Sequence, residues 1–263
     1  MLNHFAITLK SIIRDRIFHG IIFSALIFLL IPSVASLSMR QVTELAMTLS
    51  LSLISFVLLL LSLFLGGTHL WRDIERRYTY SVLSWPTSRS VFLVGKFTGT
   101  AVFIFSVALL LGIVASLTVL ITSGLYPPER PVVWDVFFLA IILDACKYIL
   151  LVAFAFLFSS VATSFFLPIF GTICIYFVGN ASQQVYDYVQ SPATVGISSV
   201  TRTAATFVYY LLPNFSAFDL KVNAVYHIPV HGIGIMLTSA YFVTYLSIVI
   251  ALAALLFEKR EIQ

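Results

Sequence analysis

Charge is what this chain has least of. Asp, Glu, Lys and Arg make up 10% of its 263 residues, against about 25% in an average soluble domain. So few charges cannot clothe a soluble surface, and a net charge of +4 does not imply nucleic-acid binding. Cysteine is nearly absent: Cys146 and Cys174 both fall inside apolar runs, which excludes a disulfide framework and reads as small buried packing. Nucleotide chemistry is missing too. A phosphate-cradling loop needs GxxxxGK[ST], but the one Gly-Lys pair, Gly95-Lys96, is followed by Phe97 and has Ser90 where the upstream Gly belongs. There is no Gly-x-Ser-x-Gly elbow and no HExxH pair. His69 near Asp73 reads as a polar residue at a membrane edge. The chain therefore reads as no enzyme and as binding no cofactor of its own.

What is present is hydrocarbon. Hydrophobic residues make up 60% of the chain and its mean hydropathy is +1.04. A bilayer accepts only helices or closed barrels, and these apolar runs are too long and too unalternating for barrel strands. The expected fold is all-α, one transmembrane domain with six spanning helices and no internal repeat. The spans are expected at about 20–37, 42–67, 91–123, 133–158, 165–178 and 233–257, all but the fifth long enough to cross a hydrocarbon core of about 30 Å. The fifth is expected to be short and interrupted at Pro168. Residues 1–18 set Phe5, Leu9, Ile12, Ile13 and Ile17 against Lys10, Arg14, Asp15 and Arg16, the pattern of an amphipathic helix lying at the membrane surface. Ser33-Val34-Ala35 has a faint likeness to a signal cleavage site, but the basic region before it is long for a signal. Residues 179–231 alternate polar and aromatic stretches and read as short helices half sunk in one leaflet, an external re-entrant segment.

One stretch breaks the hydrocarbon. Residues 68–90 carry Arg72, Asp73, Glu75, Arg76, Arg77 and Arg89. Trp71, Ile74, Tyr78 and Val82 recur at helical spacing, so the segment reads as an amphipathic helix with its charges in water, stopped by Pro86. Counting cations orients the chain. With the amino end inside, ten fall on that side (Lys10, Arg14, Arg16, Arg72, Arg76, Arg77, Arg89, Lys96, Lys259, Arg260) and four outside (Arg40, Arg130, Arg202, Lys221). The positive-inside rule then puts both termini and residues 68–90 in the cytoplasm. By composition alone that segment is a charged loop that fixes topology.

Other polar positions carry weaker signals. Asp144 and Lys147 lie three apart inside the fourth span, close enough on one helix face to pair, and such costly charges do not face lipid. They read either as an ion pair locking that span to a neighbour or as part of a transport or proton route. His227 and His231 have a four-residue spacing that suits a metal on a helix, but Pro229 lies between them and no third ligand is near in sequence. No metal site is expected. Gly95 and Gly99 have GxxxG spacing. Asn180-Ala181-Ser182 and Asn214-Phe215-Ser216 satisfy a glycosylation pattern that matters only in a eukaryotic secretory route.

The order of residues around the charged segment adds a resemblance. Glu75, Thr79, Leu83, Pro86, Ser88-Arg89 and Gly95-Lys96 are similar to the cytoplasmic signature of type 2 ATP-binding cassette (ABC) export permeases. The chain departs from it at Tyr78, where the family usually has Gly before the Thr. Leu211-Leu212-Pro213-Asn214-Phe215 before the last span and the tail Phe257-Glu258-Lys259-Arg260-Glu261 also resemble this family, in particular its small six-span branch of copper-maturation and sodium-export systems. The resemblance implies a permease subunit in the bacterial cytoplasmic (inner) membrane. A second copy would stand beside it, and a separate ATPase subunit would hold ATP and Mg. Residues Arg72, Asp73, Glu75, Arg76, Arg77, Thr79 and Arg89 would form the coupling surface, with Arg89 and Lys96 docking the partner or anchoring at lipid headgroups. Two other readings stay open: a non-transporting membrane anchor or assembly factor that recruits a soluble partner, and a proton-driven carrier using Asp144. The substrate does not follow from the sequence.

Overall fold

The computed structural model describes residues 30–36, 41–67, 89–128, 131–191 and 198–259, with 20, 23 and 27. Most of the expected first span, the amino-terminal helix and residues 68–88 lie outside the described residues. In chain order the elements are α1 (Ile31–Ala35), α2 (Val42–Leu61), a π-helical turn (Ser62–Gly66), α3 (Arg89–Leu125), α4 (Trp134–Val161), α5 (Phe166–Gln190), α6 (Ser199–Leu211), a 3-10 turn (Phe215–Phe218), α7 (Lys221–Tyr226) and α8 (Gly232–Lys259). Among the described residues there is no strand, and five helices are long and apolar enough to cross a membrane: α2 with its π turn, α3, α4, α5 and α8. The chain is an all-helical, multi-pass membrane protein.

The five long helices alternate in direction. Thr43 Oγ1 donates to the Tyr126 carbonyl at 2.7 Å, which pins the start of α2 to the end of α3. Gly66 faces Ala155 and Gly67 faces Ile169, so the end of α2 lies beside the end of α4 and the start of α5. Gly66, Arg89, Val161, Phe166 and Lys259 thus mark one end of the bundle, the Arg89 end. Val42, Leu125, Gln190 and Gly232 share the other with Trp134. At the centre stands α4, packed by α2, α3, α5, α7 and α8. Its residues Leu150 to Ala153 have no exposed surface at all. The outer faces of α5 and α8 instead present Phe166, Phe170, Phe177, Met236, Leu237 and Val243, the apolar coat expected of helices bordering lipid.

Small residues set the closest approaches. A Cβ built on Gly66 would meet the Ala155 Cβ at 2.7 Å, and one on Gly179 would meet the Phe215 ring at 2.5 Å. Gly95 and Gly99 are both buried, as a close helix crossing requires.

Two expectations are corrected here. The fifth long helix is neither short nor interrupted: α5 runs unbroken for 25 residues, Phe166 to Gln190. Pro168 is its third residue, where the missing N–H is one of the first four that have no intrahelical acceptor anyway. Past residue 178 the helix continues because its polar side chains are satisfied locally. Asn180 Nδ2 donates to the Tyr176 carbonyl, Ser182 Oγ to the Gly179 carbonyl and Gln183 Nε2 to Asp187 Oδ1. Residues 179–190 therefore belong to α5 and not to the re-entrant segment. The second correction concerns Cys174, which is exposed on α5, whereas Cys146 is half-buried as a packing residue.

Candidate functional site

The polar centre of the bundle is built on α4. Its residues Asp144, Lys147 and Tyr148 occupy adjoining positions on one helical turn, and all three are buried. Lys147 Nζ lies 3.0 Å from Asp144 Oδ1. Across the helix interface Ser55 Oγ of α2 donates to the same oxygen at 3.3 Å. A carboxylate only accepts, so the 2.8 Å contact between Ser55 Oγ and the Tyr148 hydroxyl is donated by Tyr148. The ammonium of Lys147 also sits 4.8 Å from the centre of the Tyr148 ring, which adds cation–π attraction in a desolvated setting. On the other side the Tyr148 ring stacks on Tyr176 of α5 at 6.4 Å between centroids. One ion pair thereby ties α2, α4 and α5.

This arrangement is chemically quiet. The carboxylate already holds a lysine and a hydroxyl, and these contacts join neighbouring helices. Sequence spacing alone pointed to Asp144 and Lys147. Tyr148, four residues after Asp144, has an i,i+4 spacing that also fits the same helix face. Ser55 had none, because a hydroxyl in an apolar run acquires a partner only through tertiary packing.

The candidate coupling residues divide. Arg72, Asp73, Glu75, Arg76, Arg77 and Thr79 lie outside the described residues, as does His69. Arg89 opens α3 at the Arg89 end of the bundle and is half-buried. Lys96 is corrected. It is 7% exposed, with its ammonium 5.6 Å from the centre of the Phe92 ring one turn earlier, so it packs inside the bundle and not at headgroups or on a docking surface. His227 and His231 are on separate elements. His227 closes α7 in the left-handed conformation (φ 60°), and the His231 carbonyl accepts the first amides of α8, from Gly234 and Ile235. Among the described residues no three His, Cys, Asp or Glu side chains are placed to share a metal.

The tyrosines form a second cluster near the end of α5. Tyr186 stacks on Tyr209 of α6 at 4.3 Å, Tyr209 donates to Gln183 Oε1 at 3.0 Å, and Asn214 Nδ2 donates to the same oxygen at 2.6 Å. On α6 the stripe Val200, Ala204, Phe207 and Leu211 is exposed along its length. A short helix with such a stripe beside a ring of tyrosines has the character of an interfacial element.

No protein-family model and no curated protein matches this chain.

Proposed function

We propose that this chain is the membrane-spanning subunit of an ABC exporter, powered by a separate ATPase that grips residues 68–90. The observation that carries the reading is the resemblance of Glu75, Thr79, Leu83, Pro86 and Ser88-Arg89 to the type 2 permease signature. The bundle supplies a supporting geometry. α2 and α3 pack along each other, and the chain leaves the first and enters the second at the same end, so anything bound to residues 68–88 pulls on two packed helices together. The π turn Ser62–Gly66 precedes that segment directly, and single π turns interrupt helices mostly at functional places.

In this reading residues 20–37 supply a sixth span, the Arg89 end faces the bacterial cytoplasm, and two copies stand side by side over two ATPases. The experiment is charge reversal in the assembled complex. Glu75→Lys with Arg76→Glu is expected to abolish substrate-stimulated ATP hydrolysis while the permease still inserts and purifies. Stimulation that survives overturns the coupling role. Copurification with a partner that binds no nucleotide replaces the exporter with a membrane anchor.

A further inference from the structure

The stretch from Leu212 to Leu220 is an uncommon object for a membrane protein, a mostly non-helical backbone set among spanning helices. Asn214 N–H donates to the Tyr241 hydroxyl at 2.9 Å, the Tyr245 hydroxyl donates to the Leu211 carbonyl at 2.6 Å, and Ser216 Oγ donates to the Asn180 carbonyl at 3.2 Å. Tyr241 and Tyr245 are nine and thirteen residues beyond Gly232, which places this backbone about 14 to 20 Å along α8 from its start at 1.5 Å per residue. Phe215 and Phe218 hold it there with no exposed surface.

At such depth, non-helical backbone survives only when it is buried in protein or borders water. Here Asp219 is exposed and Lys221 half-exposed, and neither charge is stable against acyl chains. They rim a small cleft between α2 and α4, lined by Leu51, Ile54, Ile141, Asp144, Asp219 and Lys221, with room for about one water molecule. Asp144 lies ten residues past Trp134, about 15 Å along α4. The contacts of its carboxylate with Lys147 and Ser55 both fall on Oδ1. No described side chain bonds Oδ2.

We propose that this cleft is a hydrated site, through which water from the Trp134 side reaches Asp144 Oδ2 beneath the 215–226 segment. Its ligand is a small neutral hydrogen-bond donor, water itself. Lys147 already balances the charge of Asp144, so a free cation gains little at that carboxylate, and Asp219 is held by the Lys221 backbone amide at 3.0 Å. Toward the Arg89 end the next turn of α4 carries Tyr148, buried, bonded to Ser55 and stacked on Tyr176. The inference is independent of the exporter reading, since it requires no ATPase.

The test uses purified protein in sealed liposomes, with Cys146→Ser and Cys174→Ser as background. Three single cysteines are added in turn: Asp219→Cys at the rim, Ile54→Cys at the floor, and Ile142→Cys, which is 37% exposed and lies closer to Trp134 than Asp144 does. An impermeant cationic methanethiosulfonate is expected to modify Asp219→Cys from one side only and Ile142→Cys at least 100-fold more slowly. Silver ion, a thiol probe of water size, is expected to reach Ile54→Cys from the same side, read as protection from maleimide after denaturation. Comparable reaction at Ile142→Cys and Asp219→Cys overturns the proposal, because that level would then lie outside the membrane. Silent Ile54→Cys with reactive Asp219→Cys overturns it too, because the cleft would be dry. Leu51→Cys, on the same lining, replaces Ile54→Cys if the latter does not fold.

Discussion

At the scale of single residues, the pair Asp144–Lys147 is held by more than its own attraction. Removing two charges from water costs several kcal/mol each, and the mutual attraction offsets this only when the remaining hydrogen-bonding capacity is met. Ser55 and the Tyr148 ring meet part of it. The consequence is an asymmetry between single and double substitutions. Lys147→Met leaves a buried carboxylate unbalanced and is expected to cost about 3 to 5 kcal/mol. Asp144→Asn combined with Lys147→Met removes both charges and is expected to recover most of that loss. Tyr148→Phe takes away one donor and is expected to cost about 1 kcal/mol. Thermal unfolding in detergent checks all three. A double variant no more stable than Lys147→Met would mean that the two side chains do not act as a pair.

At the scale of elements, helices meet where glycine lets them. Gly179 of α5 touches the Phe215 ring and the Pro213 carbonyl, so Gly179→Ala forces one of two buried groups to move and is expected to cost about 1 to 3 kcal/mol. Gly234 of α8 has nothing within 4 Å of a built Cβ. Gly234→Ala is expected to be neutral or stabilising by up to about 1 kcal/mol. Melting temperatures of the two variants compared side by side decide whether the turn at Phe215 is wedged against α5. The same helix shows what a sequence reading can reach. α2, α3, α4 and α8 were legible because each is an unbroken apolar run bounded by charge, proline or glycine. α5 was not, since Pro168 has the look of a breaker when its place in the first turn is unknown, and Ser182-Gln183-Gln184 has the look of a loop. The descent of residues 212–220 among the helices was hidden for a related reason: Phe215 and Phe218 are anchored by partners more than thirty residues away in α5 or about twenty-three away in α8. The charged pair can be found from spacing, and Tyr148 one turn on from Asp144 with it, but Ser55 needs the packed structure.

At the scale of the whole molecule, topology rests on parity. The five described spanning helices carry the chain from Val42 at one end of the bundle to Lys259 at the other, so an odd number of crossings separates these residues. Residues 20–37 decide where the amino end lies. Eighteen residues reach about 27 Å as a helix, close to the thickness of a hydrocarbon core of about 30 Å, and Arg40 follows them. If they cross, the basic residues Lys10, Arg14 and Arg16 return to the side of Arg89 and Lys259, which is where the concentration of cations belongs. Impermeant thiol labelling of Asn3→Cys, Arg76→Cys, Arg130→Cys and Gln263→Cys in oriented membranes, on the cysteine-free background, checks the count. The expected result is that positions 3, 76 and 263 react from the cytoplasmic face and position 130 from the opposite one. Position 3 reacting opposite to 263 would mean five crossings, with residues 20–37 lying along the surface. Position 76 reacting from the external face would put the charged segment out of reach of any cytoplasmic ATPase, and with it the exporter reading would fall.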